Sequence, residues 1–217
     1  MDLGPDLIGQ SPALVEVREQ IARLLTRQAE SGRLLPVLIE GETGTGKTMI
    51  ARLMHRASSR RTGPYVAVSL LDTPETLIEP ALFGQERGAF TDAREARDGF
   101  FRSAHRGTIF LDEITEISPA VQAKLLKVIE ERAIRRVGST RLEPVDVWII
   151  AASNRNLTRA VEQHLFRKDL YHRLAVVTLR IPPLRERLED VIPLAEHFLA
   201  QACFDYHLPP HRFTDEA

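Results

Sequence analysis

A single cysteine, Cys203, stands among 217 residues, so an intrachain disulfide is excluded. An excess of one charge is also lacking: 29 basic and 30 acidic side chains leave a net charge of −1. No global field would hold such a chain on DNA or on an anionic membrane, and any nucleic-acid binding needs another source. The sequence contains no apolar run of membrane-spanning length and no charged-then-apolar leader, and the cytoplasm is therefore the expected compartment. Internal repeats and low-complexity stretches are absent too. With 43% apolar residues, the chain can still bury a sizeable core.

What is present alternates helical periodicity with continuous apolar runs. Ser11 and Pro12 suit an N-cap and a first helical position, and Leu14, Val17, Ile21, Leu24 and Leu25 then share one face. Ser118 and Pro119 repeat that opening ahead of Val121, Leu125, Val128 and Ile129. Between and beyond these helices lie short apolar runs: VLIE from Val37, YVAVSLL from Tyr65, TIFLDE from Thr108, VDVWIIAAS from Val145 and AVVTLRI from Ala175. Continuous rather than alternating runs suit parallel strands covered on both faces, which predicts a layered α/β domain. After IPPLRER the strand pattern stops and one helical pattern follows, so a second, helical unit is expected from about Pro183.

The sharpest local signal is GETGTGKT: Gly41, Glu42, Thr43, Gly44, Thr45, Gly46, Lys47 and Thr48 match the phosphate-binding pattern GxxxxGK[ST]. Glycines let backbone N–H groups curl around phosphates, Lys47 adds charge at the β and γ positions, and Thr48 offers a hydroxyl to magnesium. A glycine-rich turn is the bland alternative, but a strand-like run precedes the match and a helix-like run follows it. The run TIFLDE ends in Asp112 and Glu113. Two adjacent carboxylates closing a buried strand are costly unless they face a cation or solvent at the strand's C-terminal end, where ligands sit in open α/β sheets. Asp112 would hold the metal and Glu113 would deprotonate the attacking water. A third run ends at Asn154, whose amide could hold that water or read the γ phosphate. Capping of the next helix is an equally good reading of Asn154.

Five segments together carry a resemblance. GETGTGKT, ALFGQERGAFTDA, GFFRSAHRGTIFLDEI, RVGSTRLEPVDVWIIAASNRNL and FRKDLYHRLAVVTLRIPPLRERLEDV resemble the AAA+ ATPase domain of bacterial enhancer-binding proteins that activate sigma-54 RNA polymerase. The similarity runs in register from about Ile8 to the end of the chain. It implies an AAA+ P-loop fold, a five-stranded parallel sheet between helices in residues 1–182, followed by the beginning of a truncated helical lid in residues 183–217. It also implies ATP and Mg2+ as cofactors, with Ile8 and Gly9 among the nucleotide-binding residues. The family works as a ring, usually hexameric, with ATP between subunits. Arg167 and Arg173 match its two arginines that reach into the neighbour's site, where a cation supplied in trans stabilises the transferring phosphoryl group. Without the resemblance, surface salt bridges would explain both arginines.

The resemblance also gives a role to the hexapeptide Gly88, Ala89, Phe90, Thr91, Asp92 and Ala93. In the family it tips a mobile loop that grips the sigma factor when ATP is bound, and Phe90 and Thr91 match the contact positions. This chain departs from the pattern at several places. Asp92 stands where glycine is usual. Ser69 stands where the family has an asparagine that restrains the catalytic carboxylate; a serine can still hydrogen-bond Glu113 but reaches less far. Arg106 replaces a common glycine and Ala175 a common asparagine. The lid's second sensing arginine, a sensory domain and a helix-turn-helix unit are expected outside this chain, so DNA contact is expected only through a domain it does not contain. A nucleotide-responsive regulator that no longer remodels sigma-54 fits Asp92 and Ser69. An unrelated AAA+ motor, such as a chelatase or DNA-loading subunit, is opposed by the Phe90–Thr91 pair.

Overall fold

The apolar runs form strands where the sequence places them. In the computed structural model, which describes residues 7–89 and 95–214, the strands are β1 (Val37–Glu40), β2 (Tyr65–Ser69), β3 (Thr108–Asp112), a short hairpin of β4 (Ala133–Ile134) and β5 (Glu143–Pro144), β6 (Trp148–Ser153) and β7 (Val177–Arg180). Five of them build one sheet in the order β2-β3-β6-β1-β7, and every pairing in it is parallel. The helices are α1 (Pro12–Ser31), α2 (Lys47–Ala57), α3 (Glu75–Phe83), α4 (Phe100–Ser103), α5 (Pro119–Glu131), α6 (Leu157–Glu162), α7 (Lys168–Leu174) and α8 (Val191–Asp205).

Alternate strand residues serve two cores. Val37, Ile39, Phe110, Trp148, Ile150 and Leu179 pack with α1 and α2, whereas Leu38, Ile109, Leu111, Ile149 and Ala151 pack with α3 to α7. That division explains why the central runs are continuous: β1, β3 and β6 are covered on both faces, whereas the edge strand β2 leaves Ala67 and Ser69 exposed. Every fully buried leucine or isoleucine in these layers contributes about 1.5–3 kcal/mol. On α1 the sequence face is the buried face, with Ser11 accepting from the Leu14 N–H and Gly32 closing the helix at φ 64°. On α5, Val121, Leu125 and Val128 are buried and Ile129 partly so.

The β4–β5 hairpin escapes a periodicity reading because two-residue strands carry no period. After β7 the chain makes two 3-10 turns, Leu184–Glu186 and Leu188–Asp190, and enters α8. Ile192, Phe198 and Phe204 of α8 are exposed. Among the described residues no helix is long and apolar enough to cross a membrane.

Candidate functional site

The phosphate loop follows β1 directly. Its first residue, Gly41, donates to the Ser153 carbonyl at 3.1 Å, which ties the loop to the end of β6. Gly44 and Gly46 have φ of 83° and 100°, a region that side chains enter at a cost, and a Cβ on Gly44 would meet only open space. Backbone conformation, not crowding, is what requires glycine there. Lys47 opens α2 and is 6% exposed. Its Nζ donates to the carbonyls of Gly41 at 2.9 Å and Glu42 at 3.2 Å and lies 3.4 Å from Glu113 Oε1. The Thr45 hydroxyl closes the loop on the Glu42 carbonyl at 2.8 Å. The loop therefore holds its lysine with groups that a phosphate oxygen could replace.

Both carboxylates lie beside that lysine. Thr48 Oγ1 is 3.4 Å from Asp112 Oδ2, which brings together the two oxygens expected to share a metal. Burial raises the Asp112 pKa and the Glu113 charge raises it further, against the opposing effects of Lys47 and of hydrogen bonds from the Glu113 N–H and Thr48. A half-buried, crowded carboxylate of this kind fits a divalent cation. Glu113 sits in left-handed backbone at φ 54°, ψ 54°, an arrangement that costs about 1–3 kcal/mol and is held by its surroundings. Its N–H donates to Asp112 Oδ1 at 3.1 Å, and its Oε2 accepts from the Asn154 N–H at 2.9 Å.

Two readings of the sequence are corrected here. The carboxylate of Glu113 is held by the Asn154 main chain and Lys47, and among the described residues no hydrogen bond joins it to Ser69. Ser69 is exposed and pairs in register with Asp112, the residue before Glu113. Nor does Asn154 cap the next helix: Asn156 does, accepting from the Arg159 N–H at 3.0 Å. Asn154 instead directs its amide toward Thr43 Oγ1 at 3.4 Å.

The arginines do not join this cluster. Arg167, the N-cap of α7, forms a two-pronged contact with Asp169 at 3.0 and 2.7 Å. Arg173 contacts Glu130 at 3.0 Å. Arg173 lines a cavity of about 640 Å3 with Leu34, Leu35 and Asp146, residues that precede β1 and β6. That cavity is at the end of the sheet opposite the phosphate loop. Of the hexapeptide, Gly88 (φ 79°) and Ala89 are described, whereas Phe90, Thr91, Asp92 and Ala93 lie outside the described residues.

Four residues that the sequence did not single out organise these parts. Arg136, just after β4, contacts Glu143 at 2.7 Å, Asp98 at 2.7 Å and Glu86 at 3.9 Å, and so joins the hairpin to both stems of the hexapeptide loop. Beyond β7, Arg185 grips Glu42, and Arg187 donates to the Thr45 carbonyl at 3.2 Å. Asp190, fully buried, accepts from Gln10 N–H at 2.7 Å, Ser11 N–H at 2.9 Å and Ser11 Oγ at 2.7 Å. A Cβ on Gly9 would stand 2.4 Å from that carboxylate, so the buried Gly9, next in the chain to the half-buried Ile8, lies against Asp190, whose partner Arg187 reaches the phosphate loop. Charged residues at RER and ED spacing after the last strand were the available signal.

Residues 7–180 match the Sigma-54 interaction domain family. The chain is 47% identical over 94% of its length to the C4-dicarboxylate transport transcriptional regulatory protein DctD of Pseudomonas aeruginosa, covering 43% of that protein. It is 50% identical over 89% of its length to the Nif-specific regulatory protein of Herbaspirillum seropedicae, covering 35% of it. Among solved structures, NtrX from Brucella abortus in complex with ATP superposes with a TM-score of 0.86 at 32% identity, over 96% of this chain and 44% of that one. The chain thus spans less than half the length of these relatives. Its parallel five-stranded sheet is the AAA+ P-loop fold that the resemblance implied, and the chain belongs to the Sigma-54 interaction domain family.

Proposed function

We propose that this chain is the ATP-hydrolysing module of a bacterial transcription activator, and that it acts on sigma-54 RNA polymerase as part of a hexameric ring. The supporting observation is the convergence of Lys47, Thr48, Asp112, Glu113 and Asn154 at one end of the sheet, in a chain that also carries the hexapeptide Gly88 to Ala93. Residues 1–182 are the nucleotide-binding subdomain and residues 183–217 begin the lid.

Each residue has a task in this reading. The loop amides about Gly44, Thr45 and Gly46 receive the phosphates, and Lys47 exchanges the Gly41 and Glu42 carbonyls for phosphate oxygens. Thr48 and Asp112 would hold Mg2+, which when bound neutralises charge on the phosphates. Glu113 accepts a proton from the attacking water as the new P–O bond forms and the bond to ADP breaks. To do so it must part from Lys47, and the Asn154 N–H keeps it oriented meanwhile. Asn154 offers its amide to the γ phosphate. Arg167 and Arg173 serve the neighbouring subunit's nucleotide, a role supported by their exposure and by the place of Arg173 at the far end of the sheet. The lack of a Ser69–Glu113 contact favours a second reading, a nucleotide-responsive regulator that leaves sigma-54 unremodelled.

Paired variants test the chemistry. Lys47→Ala should abolish ATP binding, whereas Glu113→Gln should bind ATP normally and lose turnover by about 100-fold or more. Hydrolysis by Glu113→Gln at the parent rate would remove Glu113 as the base.

A further inference from the structure

The phosphate loop contains a carboxylate of its own. Glu42 is the second residue of the loop, its carbonyl receives Lys47 Nζ and Thr45 Oγ1, and its side chain is exposed. An uncompensated negative charge there would oppose a polyphosphate. The structure compensates it: Arg185 Nη1 and Nη2 donate to the two Glu42 oxygens at 2.7 and 2.5 Å. The hydrogen bond from Arg185 holds the Glu42 pKa below the usual carboxylate range.

Ordinary surface ion pairs contribute little because two flexible side chains must be ordered. This pair differs in geometry and in support. It is bidentate, which fixes the plane of both groups. Arg185 is also carried on an anchored segment. Two residues on, Arg187 is 8% exposed and bonds the Thr45 carbonyl of the same loop, and Asp190 locks the segment to Gln10 and Ser11. The link from β7 to α8 thus touches the phosphate loop twice, once at Glu42 and once at Thr45.

We infer that Arg185 is a positioning residue for the phosphate loop: it cancels the Glu42 charge and holds that carboxylate aside, so that the loop accepts a nucleoside triphosphate. The inference rests on the nucleotide-site reading above. It predicts that the loss on removing Arg185 grows with ligand charge and depends on Glu42. Equilibrium titration with fluorescent ATP and ADP analogues, on parent, Arg185→Ala, Arg185→Lys, Glu42→Gln and the Glu42→Gln/Arg185→Ala double variant, reads both properties. Arg185→Ala should raise the Kd for the ATP analogue about five- to tenfold, more than for the ADP analogue, with the difference shrinking at high salt. Arg185→Lys restores the charge but not the two-pronged contact, so it should recover only part of the loss. In the Glu42→Gln background, Arg185→Ala should change the Kd less than about twofold. An unchanged Kd for Arg185→Ala, or a loss that persists without the Glu42 charge, overturns the inference. Lys47→Ala separates the two levels: if it binds the ATP analogue as the parent does, the nucleotide-site reading falls, whereas parent binding with Lys47→Ala silent leaves only the role of Arg185 at stake.

Discussion

Asp190→Ala removes the one carboxylate that joins the Gly9–Ser11 segment, Arg187 and the start of α8. Three hydrogen bonds vanish, from Gln10 N–H, Ser11 N–H and Ser11 Oγ, and the Arg187 guanidinium, 3.7 Å from the carboxylate and 8% exposed, loses its counter-charge. Removing one member of a buried charged pair costs about 3–5 kcal/mol, because the other charge stays desolvated. A domain of this size shifts by about 2–4 °C per kcal/mol, so the melting temperature should fall by about 6–20 °C. The pH dependence has a definite sign. Burial works to raise the Asp190 pKa, but the Ser11 hydroxyl, the Ser11 and Gln10 amides and the Arg187 charge outweigh it and leave the pKa lowered. The stabilisation is therefore complete above the unfolded value near 3.9 and is lost as pH falls through the lower folded value. Thermal unfolding by circular dichroism, parent against variant, should show a gap that is constant from about pH 5 to 8 and closes below about pH 4. A drop of less than about 2 °C at pH 7 would refute the claim that Asp190 anchors this junction.

Asp112 carries the opposite sign. Its folded pKa is raised, so its ionised form costs stability above that pKa, and Asp112→Asn should raise the melting temperature of the nucleotide-free protein by about 1–4 °C at neutral pH. The gain should vanish in acid as the parent protonates, and Mg2+-dependent turnover should be lost in the variant; a lower melting temperature at pH 7 would contradict the pKa direction. Arg173→Ala should depress ATPase activity while sparing ATP binding, and mixing it with Glu113→Gln subunits should restore part of the rate. Parent activity per subunit should rise with protein concentration, and a concentration-independent rate from a monomer would rule out the trans role.

Much of this was legible because backbone chemistry leaves marks on sequence. The central strands β1, β3 and β6 appear as continuous apolar runs since both faces are covered, as Leu38 and Ile39 show by serving opposite cores. Ser11-Pro12 announces α1, and the loop glycines are required by φ at Gly44 and Gly46. The partners of Glu113 were not legible. Its carboxylate, on left-handed backbone, accepts from the Asn154 N–H, a main-chain donor that no residue type signals. The junction was equally hidden: Asp190 and Ser11 are 179 positions apart, and only the completed fold brings them together. Arg136 has the same character, since its three carboxylates come from both stems of one loop and from β5.

Asp92, where the resemblance leads to glycine, would add a charge and restrict the loop tip, while Phe90 and Thr91 would keep the proposed contact atoms. Capture of purified sigma-54 by this chain, loaded with a transition-state analogue of ATP and compared with Phe90→Ala and Asp92→Gly, is the most direct test. The parent should show weak but analogue-dependent capture, Asp92→Gly stronger capture and Phe90→Ala none. A parent that binds no better than Phe90→Ala, with nothing restored by Asp92→Gly, would contradict the sigma-54 role and leave the nucleotide-responsive regulator as the function.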